Sequence, residues 1–252
     1  MTDSLNKKIY FLSDFHLGVP DYKSSLIREK KIVAFLNSIQ NSAAEIFIVG
    51  DMFDFWYEYK KVVPKGYIRL LGKLAELTDA GIPIHFFIGN HDMWMSGYFE
   101  QELNITVYHE PKYFERNGLK LYIGHGDGLG PGDFGYKFIK KVFRNKICQF
   151  LFGVIHPNWG IGFANYFSKK SREKTGTSDE HFLGEGKEWL VQFCRTTLEK
   201  EHYDYFIFGH RHYPLDYFLT EKSHYINLGD WINHFSYAVL NENKLELKKW
   251  EE

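Results

Sequence analysis

Glu45-Ile46-Phe47-Ile48-Val49-Gly50-Asp51 sets the pattern from which the fold is read. Its apolar run is β-branched and aromatic, and unbroken runs of this kind read as strands buried on both faces. Glycine then permits a tight turn, and an aspartate lands at the strand tip. The same arrangement recurs along the chain. Lys8-Ile9-Tyr10-Phe11-Leu12 leads into Ser13-Asp14-Phe15-His16, and Ile84-His85-Phe86-Phe87-Ile88 into Gly89-Asn90-His91-Asp92. Leu121-Tyr122-Ile123 leads into Gly124-His125-Gly126-Asp127, and Tyr205-Phe206-Ile207-Phe208 into Gly209-His210-Arg211-His212. Tyr225-Ile226-Asn227-Leu228 ends at Gly229-Asp230.

Between the early runs, Leu26, Ile27, Ile32, Val33, Phe35, Leu36 and Ile39 follow a 3.6-residue period. Leu70, Leu71, Leu74 and Leu77 do the same before a stopping Gly81. Strands alternating with helices predict a layered α/β fold. Ser236 to Leu240 and Leu245 to Trp250 follow one another without a helix, so part of the sheet is expected to be antiparallel. One helix is expected over about 185–200.

The rhythm breaks between about Gly130 and Gly184, where strand-like runs vanish and glycines punctuate both ends. From 137 to 175, nine Lys and Arg face the single acid Glu173, interleaved with Phe138, Ile139, Val142, Phe143, Ile147, Leu151, Trp159 and Phe163 among others. This reads as a basic and apolar helical cap at 130–184, inserted into a core of 1–129 and 185–252. Such a cap could be a helical pair packing its own core with solvated lysines, a nucleic-acid device with stacking rings, or a lipid device. Aliphatic residues among the rings favour lipid, because they stack poorly on bases.

The 252 residues carry 31 Lys and Arg against 32 Asp and Glu, so any basic patch is local and a globally basic nucleic-acid binder is excluded. Two cysteines exclude a disulfide scaffold and fit a reducing compartment. A polar N-terminus predicts no signal peptide. No apolar run reaches the ~18 residues a transmembrane helix needs.

Ligands of open α/β sheets sit beyond the carboxyl ends of the strands. The strand tips deliver Asp14, His16, Asp51, Asn90, His125, His210 and His212 to that place. These are nitrogen and oxygen donors without a thiolate, suited to Mn, Fe, Zn or Ni. Seven donors exceed what one ion needs and suit two ions sharing a carboxylate, for which Asp51 is the natural choice. Two divalent ions ~3.5–4 Å apart can clamp a phosphoryl group and ionise a water. The other histidines, among them His85, His109, His202, His224 and His234, lack this placement and read as structural.

Asp14-x-His16, Gly50-Asp51, Gly89-Asn90-His91-Asp92, Gly124-His125 and Gly209-His210-x-His212 resemble, motif by motif, the calcineurin-like metallophosphoesterase family. The resemblance implies a four-layer α/β/β/α sandwich. It implies one ion on Asp14, His16, Asp51 and His212, and a second on Asp51, Asn90, His125 and His210, with Mn²⁺ the expected metal. His91 would protonate the leaving oxygen or stabilise the pentavalent phosphorus, and Asp92 would orient its imidazole.

Asp51-Met52-Phe53-Asp54-Phe55-Trp56, His125-Gly126-Asp127-Gly128-Leu129 with Asp133, and Ser168 to Lys174 look like one branch of that family. The branch cleaves the diphosphate of UDP-2,3-diacylglucosamine to UMP and 2,3-diacylglucosamine 1-phosphate in lipid A biosynthesis. By that resemblance Asn90, His91, Asp133, Ser168, Arg172, Lys174 and His210 would contact substrate. Better-known members have Arg where this chain has His91, the residue of the wider family. A cytoplasmic protein held peripherally at the inner membrane through its cap is expected, with no nucleic-acid or obligate protein partner. The rival readings are a soluble nuclease or cyclic-nucleotide phosphodiesterase, and a non-catalytic scaffold.

Overall fold

The computed structural model describes residues 7–132, 134–175, 181–182 and 184–251, and the side chains of Lys169 and of 171–175 lie outside that description. Two sheets form the centre. The first has the order β11(Lys244–Lys249), β10(Ser236–Asn241), β1(Lys8–Leu12), β2(Ala43–Val49), β3(Ile84–Phe87), β4(Thr106–Tyr108). The second has the order β5(Lys112–Arg116), β6(Leu119–Ile123), β7(Tyr205–Phe208), β9(Ser223–Leu228), β8(Pro214–Thr220). β1 to β4 are mutually parallel, while β10 and β11 join antiparallel, as the sequence pattern predicts.

Each apolar run is continuous because alternate side chains serve different layers. Tyr10, Leu12, Ile46, Ile48 and Phe86 pack with Ile32, Phe35 and Leu36 of α1(Tyr22–Ile39) and Leu70, Leu74 and Leu77 of α2(Ile68–Asp79). Ile9, Phe11, Phe47, Val49 and Phe87 turn the other way and meet Leu121, Ile123, Ile207, Ile226 and Leu228 of the second sheet. Phe206, Phe208 and Tyr225 pack outward against Leu190, Val191 and Cys194 of α7(Trp189–Leu198). The result is the expected helix–sheet–sheet–helix order.

Four elements escape the sequence pattern: α3(Tyr98–Leu103), β4, β5 and β8. The β5–β6 hairpin turns on Asn117-Gly118, both at positive φ (53° and 77°), which is a strong hairpin signal in the sequence. α7 is shorter than the expected helix because 185–187 form a turn.

Three helices follow β6: α4(Phe134–Arg144), α5(Lys146–Val154) and α6(Pro157–Thr175). They are not a pair with its own core, for no residue of α4 or α5 is buried. Phe134, Phe138, Ile147, Phe150, Val154, Trp159 and Phe163 are exposed. The helices are tied to the body through Phe152, whose ring meets Phe55, Tyr57, Tyr59 and Trp94. Tyr57 Oη donates to the Gln149 carbonyl at 2.7 Å, and Trp94 Nε1 to the Phe143 carbonyl at 2.6 Å. Among the described residues no helix is long and apolar enough to cross a membrane.

Candidate metal centre

The tips of β1, β2, β3, β6 and β7 converge in one pocket. Asp14, His16, Asp51, His210 and His212 all have φ between 42° and 69°, the left-handed region that Asp and His tolerate better than most residues. The β1 and β2 tips are laced together, Asp14 N donating to the Gly50 carbonyl (3.1 Å) and His16 N to the Asp51 carbonyl (2.9 Å). From α1, the buried Arg28 donates to the carbonyls of Phe15, His16 and Val19 at 2.7–2.9 Å, which clamps the loop carrying His16. The motif glycines make room for the acids: a Cβ on Gly89 would overlap Asp51 Oδ1, and one on Gly209 would overlap Asp14 Oδ2.

Asp14, His16 and His212 form one group whose potential ligand atoms lie within 4.8 Å of one another; Asp51, His125 and His210 form another. In the first, His212 Nε2 is 3.2 Å from Asp14 Oδ1 and 3.1 Å from His16 Nε2. In the second, His125 Nε2 is 3.2 Å from both Asp51 Oδ2 and Asn90 Oδ1. The same Asp51 Oδ2 is 3.6 Å from His16 Nε2, so one oxygen faces both groups. Its partner Oδ1 accepts from His91 N at 2.9 Å. This is the placement a bridging carboxylate needs. His125 Nδ1 lies 2.9 Å from the Val49 carbonyl, which turns Nε2 into the pocket toward Asp51 and Asn90.

The donors fit a cation. Asp14 Oδ1 and His16 Nδ1 are buried without a hydrogen-bond partner, a costly arrangement unless a charge satisfies it. Burial opposes ionisation of Asp51, yet His125, His91 and His16 hold its carboxyl well below the usual range. Burial likewise opposes charge on His125, but Asp51, Asp14 and Asp127 push it up to about 10. Burial takes His91 and His210 down to about 4 despite the nearby aspartates, so both present neutral imidazoles. The pocket thus draws positive charge toward its carboxylates, which His125 carries in the absence of an ion, while the lone pairs of His91 and His210 stay available.

His91 sits beside the first group, its ring centroid 4.9 Å from that of His16. Asp92 does not orient it. The Asp92 carboxylate is wholly buried and accepts from Gly89 N (2.7 Å), Met52 N (2.8 Å) and Phe53 N (3.4 Å). Neighbouring side chains in the turn point to opposite sides, so Asp92 braces the loop from below. Burial and Asp51 push its pKa up to about 7. His91 Nδ1 instead meets Asp54, 3.0 Å from its carbonyl and 3.6 Å from Oδ1. Ser168 of α6 reaches the same place, donating to Asp54 Oδ2 at 2.9 Å and lying 3.1 Å from His91 Nδ1.

Of the expected substrate contacts, Asn90, His91, Ser168 and His210 gather here, whereas Asp133 and the side chains of Arg172 and Lys174 lie outside the described residues. Asp54, Arg28 and Asp127 were not singled out from sequence as site residues. Asp54 stands three places after Asp51, and Asp127 two after His125, so both were within the quoted motifs. His85 and His224 are occupied by Tyr108 and Asp216, in keeping with a structural role.

The sequence profile of calcineurin-like phosphoesterases matches residues 7–214. A UDP-2,3-diacylglucosamine hydrolase of Porphyromonas gingivalis is 38% identical over 261 residues, covering 98% of this chain and 99% of that protein. One of Yersinia enterocolitica is 27% identical over 247 residues, covering 95% and 98%. Among solved structures, the phosphoesterase Yfce of E. coli is similar with a TM-score of 0.47 at 15% identity, covering 96% of this chain and 92% of that one. The family implies divalent metal binding, and the two donor groups supply residues that could hold it. The chain therefore belongs to the calcineurin-like phosphoesterase family, whose chemistry is metal-dependent phosphoester hydrolysis.

Proposed function

We propose that this chain hydrolyses the diphosphate of UDP-2,3-diacylglucosamine, releasing UMP and 2,3-diacylglucosamine 1-phosphate. The observation that carries the chemistry is Asp51 Oδ2 lying between His16 Nε2 (3.6 Å) and His125 Nε2 (3.2 Å). The names of the full-length relatives support the substrate.

Asp14, His16, Asp51 and His212 would hold one divalent ion, and Asp51, Asn90, His125 and His210 a second, with Mn²⁺ suited to these donors. Bound ions would supply Lewis acidity and a water acidic enough to attack phosphorus at neutral pH. His91 stands beside the first group, where it can hydrogen-bond a phosphoryl oxygen or the leaving group. Asp54 and Ser168 fix the direction of its ring. A neutral imidazole can accept or donate at Nε2 according to the proton on Nδ1, so these contacts set which role it takes.

Residues 130–184 act as a cap over a core of 1–129 and 185–252. The exposed rings and aliphatic side chains of α4–α6, with lysines between them, suit acyl chains and anionic head groups better than stacked bases. On this reading the enzyme is cytoplasmic and works at the inner face of the inner membrane, held there peripherally. The test is UMP release from UDP-2,3-diacylglucosamine by metal-stripped protein on adding Mn²⁺. Turnover of a generic aryl phosphodiester without UMP release would reject the lipid substrate and retain the phosphoesterase.

A further inference from the structure

A cavity of about 440 Å³ lies between α4 and the loop ends at 108–111 and 125–129, and His125 forms part of its wall. That volume falls in the range of small-molecule sites, ~300–1,000 Å³. We propose that this cavity holds the nucleoside monophosphate half of the diphosphate substrate. The proposal rests on the reading above and deepens it, since the expected contact Ser168 lies on a different side of the centre, beside His91.

Three observations carry it. First, position: Ser168 meets His91, which neighbours His16, whereas the cavity reaches the His125–His210 group, whose rings are 5.2 Å apart. A diphosphate lying across both groups must leave on two sides, and the cavity occupies the side that α6 does not. Second, charge: Lys137, Lys140, Lys141 and Arg144 face two carboxylates, Asp127 and Glu110, across the cavity. Lys140 is paired with Asp127 and Arg144 with Glu110, and Lys137 donates to the Gly130 carbonyl at 2.6 Å. Lys141 has no partner among the described residues and remains available to a phosphate oxygen. Third, shape: Phe134, Lys137, Phe138, Lys141 and Arg144 recur at helical spacing, so one face of α4 is turned to the cavity. Phe134 and Phe138 give that face two exposed rings, so a base has surfaces on which to stack. An acyl chain in the same place would desolvate Lys141 without compensating it.

The test uses the Mn²⁺-loaded full chain and titration calorimetry with UMP and, separately, with 2,3-diacylglucosamine 1-phosphate in detergent. Lys141 is exposed, so its replacement leaves the fold intact. Lys141→Glu is expected to weaken UMP about tenfold or more, the scale of one charge-assisted hydrogen bond, while Lys141→Arg keeps wild-type affinity. Phe138→Ala should weaken UMP several-fold, with the lipid product within twofold for all three variants. Unchanged UMP affinity in Lys141→Glu of an enzyme that releases UMP overturns this site and leaves the function standing. An equal loss for the lipid product would assign the cavity to the other half and also overturn it. A wild-type protein that releases no UMP removes the functional reading and this proposal together.

Discussion

Trp159, Phe163 and Phe167 are spaced four residues apart along α6 and are 72%, 62% and 60% exposed. The Phe163 and Phe167 rings stack at 6.3 Å, as residues on one helical face do. Replacing all three by alanine keeps helix propensity and removes this face. A Phe or Trp side chain has about 150–250 Å² of surface, so two-thirds of it is roughly 130 Å². At ~25 cal/mol per Å² that amounts to about 3 kcal/mol when fully withdrawn from water. Half immersion at head-group depth leaves roughly 1.5 kcal/mol per ring, and three rings about 4–5 kcal/mol, close to a thousandfold in partition coefficient. Co-sedimentation with vesicles containing an anionic lipid measures this directly, with far-UV circular dichroism to verify folding. If the triple variant partitions within threefold of wild type, α6 does not meet the bilayer and the peripheral reading of this helix is wrong.

Asp51→Asn removes a carboxylate facing both donor groups and should lower UMP release more than about a hundredfold, since even outer-shell substitutions cost 10–100-fold. Metal content per chain should fall in parallel, and full metal-dependent turnover would refute the shared bridge. Gly89→Ala places a methyl group on Asp51 Oδ1 and against the Asp51 backbone nitrogen, so the strand tip must shift and metal affinity should drop by at least about tenfold; elemental analysis after dialysis reads it, with circular dichroism to verify folding. Glu45 on β2 binds Arg116 on β5 through two hydrogen bonds of 2.7 and 3.0 Å, joining the two sheets. Burial opposes its ionisation, but His85 and Arg116 outweigh burial and lower its pKa from 4.5 to about 2. A carboxyl depressed in the folded state stabilises fully above pH 4.5, and that stability is lost as pH falls toward about 2. Discounted for its partial exposure, Glu45→Gln should cost about 1–2 kcal/mol at pH 7 in urea unfolding, with the gap to wild type closing in acid.

The strands that carry the centre were legible because each is buried on both faces and so reads as an unbroken apolar run ending in a glycine and a ligand. β5 and β8 were not, since each buries little of its length and leaves a mixed pattern. The seven donors were legible as residue types at strand tips. Which way each side chain turns was not: Asp92 and His91 are adjacent in sequence, yet one reaches backbone amides beneath the loop while the other faces the pocket. Arg28 was hidden for a related reason, for an arginine within a helix carries no sign that it spans three carbonyls of the loop leading into that helix.

The left-handed backbone at Asp14, His16, Asp51, His210 and His212 bears on how such a centre decays when selection lapses. Alanine or valine at any of these five places would have to hold a conformation costing about 1–3 kcal/mol, whereas glycine and asparagine adopt it with ease. A lineage that abandoned hydrolysis while keeping the scaffold should therefore drift at these positions toward glycine and asparagine first. Relatives carrying those two residues there would be recognisable as former enzymes.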